Sequence, residues 1–119
     1  MNEHRATSLA QAWIEAWNRH DLDAIMHHYA PDVEFTSPFV STLSGESSGL
    51  IRGREPLKAY FRKGLHAYPD LQFELLRTLT GVDSVLLYYR SVKGLLAAEM
   101  MTVNGEGQIQ MVRVHYTKE

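Results

Sequence analysis

The chain has 119 residues, enough for one domain with a real core and too few for two, and its twelve Lys and Arg against fourteen Asp and Glu leave a net charge of −2. The basic residues are scattered rather than gathered into a stripe, which excludes the electrostatic footprint of a nucleic-acid or anionic-membrane binder. Cysteine is absent, which removes disulfides, thiol nucleophiles and thiolate metal sites together. An apolar fraction of 45% with 22% charged residues is that of an ordinary globular protein. The opening residues mix charge into their pattern and contain no apolar run of signal-peptide or membrane-spanning length, so the expectation is a single domain over 1–119 in the cytoplasm.

In chain order, Ser8 and Gln11 form a capping-box pattern, and Leu9, Trp13, Ala16 and Trp17 recur at helical spacing, predicting a first helix that runs to about Asn18 with its tryptophans inward. Asp21 is a candidate cap for a second helix whose Leu22, Ile25, Met26 and Tyr29 share a stripe, ended by Pro31. His27 and His28 fall off that stripe and point about 100° apart, which suits a solvated pair and not one metal. Val33, Phe35 and Ser37 alternate with Glu34 and Thr36 as a strand with Ser37 facing inward. The Ser- and Gly-rich segment 38–53 reads as a long loop of the kind that forms lids or is disordered. Pro56 opens a third helix with Leu57, Tyr60, Phe61, Gly64, Leu65 and Tyr68 on one face, Gly64 marking a close packing contact, and Pro69 closes it.

From there the period changes from 3.6 to 2: LQFELLRTL, SVLLYYRSV, LLAAEMMTV and QIQMVRVHY, separated by TGVD, KG and NGEG, predict an antiparallel meander. Three helices and five strands, the strands mostly consecutive, make an α+β domain with helices over one face of a curved sheet. Turns of two or four residues around Lys93–Gly94 and Asn104–Gly107 would place Leu86, Tyr88, Arg90, Ala97, Glu99, Met101, Val112, Val114 and Tyr116 on one face. Val85, Leu87, Tyr89, Ala98, Met100, Met111, Arg113 and His115 would then lie on the other. Both faces are largely apolar, and an apolar face without helices predicts a homodimer through Leu87, Tyr89, Met100 and Met111.

The segments AWNRHDLDAIMHHYAPDVEFTSP, IRGREPLKAYF and NGEGQIQMVRVHY make the chain similar, over nearly its whole length, to the nuclear transport factor 2-like superfamily and within it to the SnoaL-like group. The resemblance implies a cone-shaped α+β fold, with helices closing over a curved sheet around a deep apolar pocket, and usually a homodimer. Members include ketosteroid isomerase, polyketide cyclases, dehydratases, epoxide hydrolases and binding proteins, so fold alone does not choose an activity. Ketosteroid isomerase places a base aspartate, an oxyanion tyrosine and a protonated aspartic acid where this chain has Ser37, Trp13 and Glu99. Serine without a base of its own does not abstract a proton near neutral pH, and indole donates a hydrogen bond but no proton, so isomerase chemistry in that form is lost.

Glu99, in the apolar run LLAAEMM, is the candidate catalytic residue: a carboxyl buried there is neutralised, paired or used. Three roles stay open for it, namely an ion pair with Arg90 on a cross-strand diagonal of about 7 Å, the anchoring of a ligand, and general acid or base catalysis. The remaining pocket candidates are Trp13, Trp17, Phe35, Ser37, Tyr60, Phe61, Tyr88, Arg90, Met101, Val112, Val114 and Tyr116, with Tyr88 either a buried aromatic that only packs or a hydrogen-bond donor to Glu99 or to a bound carbonyl. His115 has the right pKa for a base but lies on the other face by parity. No His, Asp or Glu pattern has metal-ligand spacing, no Gly-rich turn cradles phosphate, and no histidine stands beside Ser37. The expectation is a small apolar ligand bearing a carbonyl or hydroxyl, no cofactor, no metal, and an isomerase, cyclase or dehydratase reaction; the alternative is a non-catalytic dimeric binding module.

Overall fold

The computed structural model describes residues 1–45 and 47–117. Asn2 caps α1 (Glu3–Asn18), its side chain accepting from the Arg5 N–H at 2.8 Å. The helix thus starts before Ser8, which is an exposed interior residue. Asn caps as well as Ser does, and Ala6 and Ala10 carry the buried stripe of Trp13, Ile14 and Trp17 back to that earlier start. Asp21 caps α2 (Leu22–Met26) by accepting from the Ala24 N–H at 3.1 Å. This helix is only five residues long. Tyr29, expected on its apolar stripe, instead opens β1 (Tyr29–Thr36), and Pro31, expected as the helix stop, lies inside that strand. A residue without an N–H is tolerated there because the pairing of β1 with its neighbour shifts register between Tyr29 and Glu34.

The segment expected as a loop holds two elements, α3 (Pro38–Ser44) and β2 (Leu50–Arg52), the latter antiparallel to β1. Ser37 is the N-cap of α3, its Oγ accepting from the Phe39 N–H at 3.3 Å, and Pro38 sits in the first turn where no N–H is missed. The return passes Gly49, whose φ is +69° and where a Cβ would stand 2.8 Å from the Ser37 carbonyl oxygen, so only glycine closes the loop this way. Glu46 lies outside the described residues. Next comes α4 (Arg54–Ala67), which turns Leu57 and Phe61 inward and whose first residue donates from Nε to the Tyr29 carbonyl at 3.0 Å. Gly64, expected at a tight contact, has open space where its Cβ would be.

The remaining strands are β3 (Glu74–Thr80), β4 (Ser84–Arg90), β5 (Leu96–Val103) and β6 (Ile109–Tyr116). They complete a curved, unclosed sheet in the order β2-β1-β6-β5-β4-β3, antiparallel except where β1 meets β6. Among the described residues four α-helices and six strands thus replace the expected three and five, the additions being the short elements of the Ser- and Gly-rich segment. Asn18, the last residue of α1, clamps that helix to the start of β3: its amide donates to the Phe73 carbonyl at 3.0 Å and accepts from the Phe73 N–H at 2.6 Å. Among the described residues no helix is long and apolar enough to cross a membrane.

One turn changes the face assignment. Arg90 pairs with Leu96, so the β4–β5 connection has five residues, Ser91 to Leu95, with Lys93 at φ +59° inside it. Odd positions therefore pair with odd ones: Val85 with Met101, Leu87 with Glu99, Tyr89 with Ala97. The interior face carries Val85, Leu87 and Tyr89 beside Ala97, Glu99, Met101, Val112 and Val114. Leu86, Tyr88 and Arg90 lie on the outer face with Ala98, Met100, Met111, Arg113 and His115. The expected homodimer contact through Leu87 and Tyr89 is thereby corrected: both are core residues, 0% and 2% exposed.

The register predicts opposite fates for neighbours in β4. Leu87→Ala opens a cavity in the core and should cost about 2–5 kcal/mol, whereas Leu86→Ala on the half-buried outer face should cost less than about 1.5 kcal/mol. Urea denaturation of the two variants measures this, and the reverse ranking would show the other register.

Candidate functional site

Helices and sheet do not close completely on one another. Between them lies a cleft of about 580 Å³ including its open mouth, of which about 70 Å³ admits the centre of a water molecule. The deep part is thus narrow, room for a few waters or one slim group at about 10–15 Å³ each. α1 supplies Trp13 and Trp17, β1 Phe35, α3 Phe39 and Leu43, α4 Tyr60, Phe61 and Gly64, and the strands Tyr89, Glu99 and Tyr116. Tyr68, Leu71, Phe73, Ser91 and Val92 complete the lining from the connections on either side of β3 and β4.

The aromatic rings hold one another. Trp13 stacks on Phe73 at 5.8 Å between centroids and meets Tyr89 edge-on at 5.4 Å, Trp17 meets Phe61 edge-on at 4.8 Å, and Phe39 of α3 stacks on Tyr116 at 4.3 Å. Such pairs add about 0.5–1.5 kcal/mol each beyond the area they bury. The Trp13 indole N–H is already spent, donating to the Tyr29 hydroxyl at 2.9 Å in the core. The Trp17 Nε1 is fully buried without a hydrogen-bond partner among the described residues.

Glu99 is the one charged residue among the described side chains of this lining. It sits in β5, third of six strands from the β3 edge, and is 3% exposed. Tyr89, diagonal to it across β4–β5, donates its hydroxyl to Oε1 at 2.7 Å, and Oε2 accepts no hydrogen bond from the described residues. Burial raises the carboxyl from the ordinary 4.5 to about 7, against the opposing pull of the Tyr89 hydrogen bond. The surrounding phenols move further from ionisation. Burial pushes Tyr60 up to about 12, and it holds Tyr29, Tyr89 and Tyr116 well above their usual value, with the nearby Glu99 charge adding to each. Near neutral pH the cleft therefore has one group that gains or loses a proton and several hydroxyls that only hydrogen-bond.

Of the pocket residues expected from sequence, Trp13, Trp17, Phe35, Tyr60, Phe61, Glu99 and Tyr116 border this cleft. Met101, Val112 and Val114 are buried interior residues that do not reach its surface. Ser37 is 2% exposed but borders a separate depression with Arg113 and His115, and it stands close enough to the Tyr60 and Tyr116 hydroxyls to oppose their upward shifts. Tyr88 and Arg90 are corrections: the five-residue turn puts both on the outer face, and Arg90 pairs there with Glu74 at 3.5 Å. The expected diagonal pair of Arg90 with Glu99 is thus excluded, and Tyr89 replaces Tyr88 as the hydroxyl beside the carboxyl. His115 lies exposed on the outer face, its Nδ1 3.2 Å from the Ala98 carbonyl oxygen. The sequence did carry a signal for Phe39 and Leu43, spaced i, i+4 within the segment read as a loop. Leu71 and Phe73 alternate ahead of β3, and Tyr89 follows from the turn length alone.

The SnoaL-like domain family matches residues 10–117 of the chain. A SnoaL-like protein of unknown function from Burkholderia thailandensis is 43% identical, covers 98% of both chains and superposes with a TM-score of 0.96. The fold is shared at lower identity. A provisionally named ketosteroid isomerase from Kribbella flavida is 19% identical over 98% of this chain and 80% of that one, TM-score 0.78. The epoxide hydrolase/cyclase-like enzyme SalBIII, of pyran ring formation in the polyether salinomycin, is also 19% identical, over 98% of this chain and 93% of that one, TM-score 0.78. Among curated proteins none matches. A family match over nearly the whole length, with a 43% identical relative of the same shape, makes this chain a member of the SnoaL-like domain family.

Proposed function

We propose that the cleft binds an apolar small molecule bearing a carbonyl or hydroxyl oxygen and that Glu99 exchanges a proton with it, in an isomerisation or cyclisation. The observation that carries this is Glu99 itself: a buried carboxyl at the cleft wall, bonded by one phenol, with a second oxygen that accepts no hydrogen bond and no cation beside it among the described residues. A structural carboxyl in a core is normally matched by a counter-charge or several donors. A carboxyl held near neutrality is divided between acid and base at working pH, the condition under which general acid–base catalysis is most effective. In its neutral form Glu99 donates to a substrate oxygen; in its ionised form it removes a proton from carbon or hydroxyl. The phenol of Tyr89 fixes the carboxyl and stabilises its charge in that second state. The names of the Kribbella protein and of SalBIII fit this type of chemistry.

The outer face of the sheet supports a second element of the proposal, a homodimer. Leu86, Tyr88, Ala98 and Met100 are only partly covered, Leu79 and Met111 are 55% and 37% exposed, and no helix crosses them. On this reading two copies bury that face together, and the cleft stays on the far side of each sheet.

Three outcomes test the proposal. Toward a model enone, Glu99→Gln should lower turnover by about 10²-fold or more while Ser37→Ala stays within a few fold; an active Gln variant removes Glu99 from the chemistry. Because the folded state holds the Glu99 proton more tightly than the unfolded chain, the stability this confers is complete below pH 4.5 and lost as pH rises through about 7. Glu99→Gln should abolish that loss of about 3 kcal/mol. Urea melts in a pH series compare the two proteins, and parallel curves would mean that the carboxyl is not held in this way. Finally, light scattering should show a dimer at micromolar concentration and a folded monomer for Leu86→Arg, and a monomeric parent would end the dimer proposal.

A further inference from the structure

A carboxyl removed from water calls for a positive charge, and the described residues of the cleft supply none. Among the sixteen described residues that border the cleft there is no Lys, Arg or His. Of the cations on the surrounding elements, Arg54 donates to the Tyr29 carbonyl, Arg90 pairs with Glu74 on the outer face, and Lys93 lies 5.9 Å over the ring of Tyr68 at the cleft edge. The titratable groups that feel the Glu99 charge are Tyr29 of β1, Tyr60 of α4, Tyr89 of β4 and Tyr116 of β6, all neutral phenols.

The walls carry the second observation. Ten of the sixteen lining residues are aromatic. Aliphatic side chains would make the cleft equally apolar, but they offer nothing to a charge, whereas the faces of Trp, Tyr and Phe attract cations, most strongly where water is excluded. Trp13, Phe73 and Tyr89 form one packed group, with centroids 4.9–5.8 Å apart, at the end of the cleft where Tyr89 holds Glu99.

From the lone carboxyl and the aromatic walls together we infer that the cleft also takes up hydrophobic organic cations, aryl or alkyl ammonium ions, with Glu99 as their counter-ion. This rests on the cleft being a ligand site and adds a second chemical class to it. The free Oε2 faces the charge or accepts an ammonium N–H, Oε1 keeps its bond from Tyr89, and the rings surround the substituents. The two classes are sorted by protonation: neutral Glu99 donates to a carbonyl ligand, and ionised Glu99 pairs with an ammonium. Loading a cation onto the neutral form releases one proton to the buffer.

Both tryptophans of the chain line the cleft, so their fluorescence reports its occupancy. The probes are benzyltrimethylammonium and its uncharged carbon isostere, neopentylbenzene, titrated at pH 5.5 and 8.5. At pH 8.5 the cation should bind at least tenfold more tightly than the isostere. At pH 5.5 its affinity should fall by up to about 30-fold, following the ionised fraction of a group titrating near 7, while that of the isostere stays constant. Glu99→Gln should erase the preference at pH 8.5 and the pH dependence of the cation's affinity, and the pH series on the unaltered protein stands alone if that variant does not fold. Equal affinity for the two probes at pH 8.5, or a preference that survives in folded Glu99→Gln, overturns the inference and leaves the cleft as a site for neutral ligands. Failure of both probes to bind overturns it together with the reading of the cleft as a ligand site.

Discussion

Arg90 and Leu96 face one another across five turn residues, and this one pairing decides what the helices cover. With it, Leu87 and Tyr89 enter the core, Tyr89 comes within 2.7 Å of Glu99, and Tyr88 and Arg90 leave for the outer face. Had the turn been one residue shorter, Arg90 would have shared the interior with Glu99 as its ion-pair partner, and Tyr89 would have been outside. The lone character of the carboxyl is thus a property of backbone geometry before it is one of side chains. Lys93 bears its cost, since a non-glycine residue at φ +59° is uncommon.

The interior then has to accommodate an acid without a counter-charge, and it does so with phenols and indoles. These side chains bury a large apolar area yet carry one polar atom at the tip. Trp13 donates to Tyr29 and Tyr89 to Glu99, so these two polar tips are satisfied inside while the rings make the core. A phenol donor stabilises a carboxylate less than a guanidinium would, which leaves the proton affinity of Glu99 raised rather than lowered. The same choice of residues that fills the core therefore sets the chemistry at its edge.

Much of this was legible in the chain. The periodicity of Trp13, Ala16 and Trp17, the change of period after Tyr68 and the four alternating segments identify the helices, the sheet and the α+β class from side-chain spacing alone. Glu99 stood out because a lone carboxyl in the apolar run LLAAEMM, once buried, has to be neutralised, paired or used. Three things were not. Helix start and stop depend on competing caps, and Asn2 is as good a cap as Ser8. Short elements such as α3 and β2 are stabilised by their neighbours more than by their own pattern. The turn after Arg90 carries Lys at a left-handed position, where sequence rules look first for Gly or Asn and so count a shorter loop. The last of these exchanged Tyr88 for Tyr89 and removed Arg90, since an error of one residue inverts a whole strand.

The parallel contact of β1 with β6 bears on how the chain is made. Until β6 is in place β1 has only the three-residue β2 as a strand partner, because its other neighbour in the sheet is the last strand. As the polypeptide leaves the ribosome, Tyr29, Val33 and Phe35 are therefore synthesised long before the strand that will cover their open edge. Their closure is a long-range event, entropically late and slow compared with the local β3–β4–β5–β6 hairpins. Contact order thus favours a meander that forms first, with the first third of the chain, and the cleft it helps to wall, following.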